Sequence, residues 1–159
     1  MPQHGFHLPE YLLHIQMKIQ APTTETDFEK YFDLRWRILR EPWQQPRGSE
    51  KDELENTSHH IMICDDTNQV IGVGRLHAAT NSQGQIRYMA VANTHQGKGV
   101  GSMLLNALEN IARENNFRSI LLHAREIALP FYLHHHYTQL EKSHLLFNRI
   151  QHFKMIKYL

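Results

Sequence analysis

The spacing of hydrophobic positions changes several times along this chain, and each change marks an element. Leu12 to Ile19 (LLHIQMKI) is rich enough in apolar residues to read as a strand, which Pro22 ends. Phe28, Tyr31, Phe32, Ile38 and Leu39 then recur at helical spacing until Pro42, and Thr24 with Asp27 or Thr26 with Glu29 fits the cap. Residues 41–58 (EPWQQPRGSEKDELENTS) predict a loop with room for one helical turn, and loops of that length usually serve a purpose. His59 to Asp65, Val70 to Ala79 and Gln85 to Val91 are β-type runs joined by DDTNQ and NSQG, so they predict an antiparallel meander. Leu104, Leu105, Leu108, Ile111 and Ala112 line one face of a helix from about Gly99 to Asn115. Ser119 to His123 follows as a short buried strand, Ala128 to His135 as a helix, and Leu145 to Arg149 with Phe153 to Tyr158 as a closing strand pair. This order predicts an α/β (α+β) fold, a mixed sheet with helices on both faces, in a single domain over residues 1–159.

Charge narrows the partners. Seventeen basic residues against 16 acidic ones leave no electrostatic footprint for nucleic acid or membrane. MPQHGFHLPE lacks the pattern of a signal peptide and no apolar run approaches a membrane span, so a cytoplasmic protein is expected. Cys64 is the only cysteine and is expected to be a small apolar residue in a strand, which excludes an intrachain disulfide. The 13 histidines include the run His134 to His136, with His144 and His152 further on. Consecutive helical residues point about 100° apart and cannot share one ion, so these histidines are expected on the solvated surface and no metal is expected.

Between Val91 and the following helix lies ANTHQGKGVGS, with Gly97, Gly99 and Gly101 alternating. Glycines at a strand-to-helix junction let backbone N–H groups approach an anion such as a pyrophosphate, although they serve equally well to start a helix tightly. The dinucleotide signature would need glycine at Ser102 and the Walker signature glycine at Ala92; Gly72 and Gly74 fail as well, because His77 takes the third place.

QGKGVGSMLL after a strand ending in MAV resembles the signature Q/R-x-x-G-x-G/A of the GNAT superfamily of acyl-CoA-dependent N-acetyltransferases, with Gln96, Gly99 and Gly101 at its fixed positions. AREIALPFYLHHHY is similar to the last motif of that family through Ala128, Phe131 and Tyr132, with His136-Tyr137 where Gly-Phe is usual. LRWRILREPWQQPRGSE looks like bacterial GNAT domains, some of which are fused to a thioesterase-type domain.

The resemblance implies a mixed, mostly antiparallel central sheet whose splayed strands admit the pantetheine arm of the coenzyme. It implies transfer of an acetyl group from acetyl-CoA, a co-substrate, to an amine of a small-molecule or peptide acceptor by direct attack. Carried over by position, Met89 N–H would hold the acyl carbonyl and Ala90 and Val91 would follow the pantetheine. The N–H groups of Gln96, Gly97, Lys98, Gly99, Val100, Gly101 and Ser102 would cradle the pyrophosphate. Tyr132 is the candidate general acid, with a core aromatic as its other reading. Some members carry a glutamate where this chain has Gln85, so the base stays open among Glu126, His123, His77 and water. Without it, a non-catalytic acyl-CoA-binding or regulatory module remains the alternative.

The acceptor is expected through a wall formed by Arg35 to Arg40, residues 41–58 and the C-terminal strands. Trp36, Trp43, Arg37 and Arg47 there are either pocket residues or packing and surface residues. A homodimer is compatible with all of this.

Overall fold

The computed structural model describes residues 17–159, so most of the predicted first strand lies outside the described residues. Its described remainder is β1, Lys18–Gln20, and α1 follows over Glu25–Leu39. The first of the two expected caps is the one used: Thr24 Oγ1 accepts from the Asp27 N–H at 3.0 Å, and Asp27 Oδ2 accepts from the Thr24 N–H at 3.2 Å. The meander comprises β2 (His59–Cys64), β3 (Val70–Ala78) and β4 (Gln83–Val91). Then come α2 (Val100–Glu114), β5 (Ser119–Arg125), α3 (Leu129–His134), β6 (Thr138–Leu146) and β7 (Ile150–Tyr158).

The seven strands form one sheet in the order β1-β2-β3-β4-β5-β7-β6, antiparallel throughout except where β4 runs parallel to β5. Both faces are covered, and alternation along β2 shows how. Ile61 and Ile63 join the cluster around Leu104, Leu105 and Leu108 of α2, whereas Met62 and Cys64 face Tyr31 and Leu34 of α1. Gly72 and Gly74 belong to this packing. A Cβ at Gly72 would stand 2.7 Å from Val100 Cγ1, and one at Gly74 2.9 Å from Leu108 Cδ1, so the glycines let α2 lie close on β3.

The closing strands are longer than the sequence suggested, and Leu145 to Arg149 is mostly the turn between them. Phe147 and Asn148 both take positive φ, 53° and 55°, in a three-residue connection closed by the Arg149 N–H on the Leu146 carbonyl at 3.0 Å, a left-handed pair of the kind usually announced by Asn-Gly. With phenylalanine there, and with most of β6 exposed as an edge strand, neither turn chemistry nor hydrophobic alternation signalled it.

Two features of the sheet create the site. First, β4 and β5 pair only from Gln83 with Ser119 to Ile86 with Leu122, so beyond that point the strands diverge. Second, the register of β3 against β4 skips from Arg75–Arg87 to Val73–Ala90, leaving Tyr88 and Met89 opposite Gly74 alone. This is a β-bulge, and Tyr88 carries it at φ 58°.

Candidate active site

A cleft of about 890 Å³ opens where β4 and β5 part. Its walls are Gln85 to Val91 from β4, His123 to Arg125 from β5, the glycine turn, Tyr132 and the C-terminal end of α1. The volume suits a small-molecule site.

At one end, Gly97 and Gly99 take φ of 75° and 84°. No protein atom lies within 4 Å of a Cβ built at either, so the backbone conformation, not packing, asks for glycine there. Gly99 caps α2 without a side-chain hydrogen bond. The first backbone bond runs from Met103 N–H to the Gly99 carbonyl, which leaves the N–H groups of Val100, Gly101 and Ser102 as the unpaired donors of a helix start. Those residues line the cleft. Gly101 has a packing role too, since its Cβ would meet Phe131 at 3.3 Å.

At the splay, the Tyr132 hydroxyl meets Met89 Sδ at 3.6 Å, its only side-chain hydrogen bond among the described residues. Burial pushes its phenol up to about 12, so it stays protonated at any physiological pH. Its helix is closed by His136, which holds φ 70°, the left-handed conformation at which many helices place glycine.

Tyr88 holds its strained conformation inside a ring of cations. The guanidiniums of Arg35, Arg87, Arg75 and Arg40 lie 4.3, 4.6, 4.8 and 5.7 Å from its ring centroid. Arg35 and Arg75 are fully buried, and the segment 50–55 supplies their counter-charges. Arg75 makes a two-pronged contact with Asp52 at 2.6 and 3.0 Å, and Glu55 bridges Arg35 and Arg75 at 2.9 Å each. Burial alone would raise the Asp52 carboxyl, but hydrogen bonds from Arg75 and the Leu54 N–H and the charges of Arg75 and Arg87 hold it far below its ordinary value. The long loop therefore serves to neutralise the arginines that pack behind the bulge.

The family model for the Acetyltransferase (GNAT) family matches residues 28–137. The chain belongs to the GNAT family. It is thus an acyltransferase that works with an acyl-CoA. It is 31% identical over 141 residues to an uncharacterized N-acetyltransferase of Bacillus subtilis, YjcF, spanning 89% of this chain and 99% of that protein. Among solved structures, a GNAT-family acetyltransferase from Staphylococcus aureus matches with TM-score 0.74 at 15% identity, over 90% of this chain and 99% of that one. An aminoglycoside 6′-N-acetyltransferase complexed with coenzyme A matches with TM-score 0.74 at 13% identity, over 89% and 96%. An Elizabethkingia anophelis GNAT acetyltransferase with acetyl-CoA bound matches with TM-score 0.73 at 15% identity, over 91% and 99%.

Of the residues singled out in the sequence of this GNAT chain, Met89, Ala90, Val91, Gln96, Gly97, Gly99, Val100, Gly101, Ser102, Tyr132 and His123 all line the cleft. Lys98, Glu126 and His77 do not. Lys98 is exposed beside the turn, and Glu126 is exposed in a 3-10 turn just past β5. His77 is buried with Nδ1 3.3 Å from Arg75 Nη2. His123 differs from both, because its Nδ1 is buried without a hydrogen-bond partner among the described residues. Burial, His144 and Lys154 lower its pKa, so it is neutral near pH 7.

Two expectations need correction. His152 is not a solvated surface residue: it is 7% exposed, donates through Nδ1–H to the Ile150 carbonyl at 2.9 Å, and stacks on His144 at 4.2 Å. With His123 these two rings form part of the cleft wall. Nor does the loop 41–58 contribute to that wall. Arg47 stacks on Trp36 at 4.0 Å and pairs with Asp33, and the Trp36 indole N–H donates to the Gln45 carbonyl, so these residues tie the loop to α1. Tyr88 and Arg125 went unrecognised, because only the register skip and the fold bring them to the cleft, whereas Arg40 belongs to the stretch expected to wall the acceptor.

Among the described residues no helix is long and apolar enough to cross a membrane, and no group of three or more His, Cys, Asp or Glu side chains is placed to hold a metal ion.

Proposed function

We propose that this chain is an acetyl-CoA-dependent N-acetyltransferase, folded as one domain over residues 1–159, that acetylates an amine of a small-molecule or peptide acceptor by direct attack. The observation that carries it is the convergence, in one cleft, of unpaired helix N–H donors at one end and the Tyr132 hydroxyl beside Met89 at the other. The bound coenzyme A and acetyl-CoA in the two similar folds support the choice of co-substrate.

In this reading the N–H groups from Gln96 to Ser102 hold the pyrophosphate, and the pantetheine arm pairs along Met89 to Val91 as an added strand. The acyl oxygen accepts from the Met89 N–H, a residue the bulge leaves without a registered partner on β3. An amine nitrogen attacks the thioester carbon, the C–S bond breaks, and the coenzyme leaves as thiolate. Stabilising the intermediate oxyanion in this way contributes about 3 to 4 kcal/mol in acyl-transfer enzymes. His123, the one base candidate on the cleft wall, takes the proton the amine gives up. Tyr132 faces the departing sulfur. Its phenol, at about 12, is a weaker acid than an ordinary thiol near 8.5, so it stabilises the thiolate as a hydrogen-bond donor and keeps its proton in the end. The thioester is reactive enough that the route uses no metal.

The test is release of free thiol from acetyl-CoA against a panel of amines, amino acids, polyamines and peptides, with product mass measured. Transfer to at least one amine is expected, and Gly99→Val should raise the dissociation constant for acetyl-CoA at least 10-fold while the circular dichroism spectrum stays folded. Tight coenzyme binding with no thiol release from any amine would establish a non-catalytic acyl-CoA-binding module instead.

A further inference from the structure

The coenzyme's phosphates do not account for all the positive charge in the cleft. Along β5, Leu122 and Ala124 pack into the cluster that holds α2 and Tyr132, so His123 and Arg125 project from the opposite face. There Arg125 Nη2 donates to the Leu39 carbonyl at 3.4 Å, and Arg40 Nη1 donates to the same carbonyl at 3.0 Å. Arg40 Nε also donates to the Ser49 carbonyl at 3.0 Å. Both arginines are among the residues that line the cleft, and Arg40 is only 8% exposed. Neither has a carboxylate partner among the described residues, whereas Arg35, Arg75 and Arg87 each have one. Among the described residues no aspartate or glutamate lines the cleft wall. Burial lowers the pKa of both arginines, and the charge of Arg40 lowers that of Arg125 further.

Two part-buried cations sharing one carbonyl oxygen form an arrangement that costs stability until an anion completes it. A guanidinium pair with free N–H donors matches the two oxygens of a carboxylate. The glycine turn, where the phosphates are placed above, belongs to α2 and thus to the other face of the sheet.

We propose that Arg40 and Arg125 bind a carboxylate of the acceptor, so that the acceptor is an amino acid or another amine that also carries a carboxylate. This rests on the acyl-CoA-dependent reading. With the carboxylate on the two arginines, the amine reaches back toward His123 on the same strand as Arg125, and the His144–His152 stack forms the neighbouring wall.

The test uses acceptor pairs that differ by one carboxylate: lysine and cadaverine, tyrosine and tyramine, serine and ethanolamine, each with acetyl-CoA. In every pair that turns over, kcat/KM for the amino acid should exceed that for the amine at least 10-fold, and Arg40→Gln or Arg125→Gln should shrink that ratio 10-fold or more, mainly through KM. A wild-type ratio at or below one overturns the proposal. A second readout does not depend on turnover: calorimetric titration of the CoA-saturated protein with N-acetyl amino acids and with the matching N-acetyl amines. Preference for the carboxylated product, lost in Arg125→Gln, supports the site even if no amine is acetylated and the acetyltransferase reading fails. Equal binding of the two, or a preference that survives both substitutions, overturns it. Among the described residues Arg125 makes one side-chain hydrogen bond and Arg40 two, so Arg125→Gln decides the question if Arg40→Gln does not fold.

Discussion

Tyr132 separates chemistry from packing with a single oxygen atom. Its ring sits against Phe131 and Tyr137 with centroids 5.0 and 5.7 Å away, and Tyr132→Phe keeps that packing while removing the contact with the Met89 sulfur. If the hydroxyl stabilises the departing thiolate, kcat falls by roughly 10²-fold with acetyl-CoA affinity little changed. Steady-state kinetics beside a thermal melt check this, and a wild-type kcat with chemistry rate-limiting would take Tyr132 out of the mechanism. Tyr132 and the glycine turn were legible in the sequence because each lies inside a short contiguous pattern. Gly97 and Gly99 show the same logic, since positive φ at a strand-to-helix junction leaves glycine as the favoured residue. Tyr88 was not legible. Nothing local marks an aromatic residue for φ 58°, and the arginines that surround it come from positions 35, 40, 75 and 87.

Among elements, the segment after α1 repays the most attention. Its composition said loop, correctly for the most part, with two 3-10 turns at Glu41–Trp43 and Glu55–Thr57. Its purpose lay out of sight, because the partners of Asp52 and Glu55 are arginines on α1 and β3. Asp52→Asn removes half of the charge that compensates Arg75, a side chain with no solvent access, while Glu55 remains. The expected loss is about 3 kcal/mol of unfolding free energy by denaturant titration, the low end for breaking a buried ion pair. A loss under about 0.5 kcal/mol would mean that Arg75 finds compensation elsewhere. The same contrast explains the β6–β7 turn: a left-handed pair built on Phe147 and Asn148 is held by the strands on either side and not by its own residues.

At the scale of the whole molecule, protonation and the divided sheet matter most. His152, buried and stacked on His144, has its pKa pushed down to about 4, by burial first, while in the unfolded chain it titrates near 6.5. Between those values the unfolded state binds the extra proton, so stability is full above about pH 6.5 and declines as pH falls toward 4. His123 and His144 shift in the same direction. Thermal melts should therefore show Tm dropping from pH 7 to pH 5, with a smaller drop in His152→Gln; an unchanged slope would show that this ring is not the source. The seam between β4 and β5 has a different consequence. Four residue pairs are all the parallel register that joins the meander half of the sheet to the β5–β7 half. On the proposed reading, a coenzyme arm in the gap acts as mortar between the halves, and a ligand bound only by the folded chain adds about 2.7 kcal/mol at a hundredfold excess over its dissociation constant. With the arm in place, the seam should open less often, so that acyl-CoA added to the folded protein slows its proteolysis.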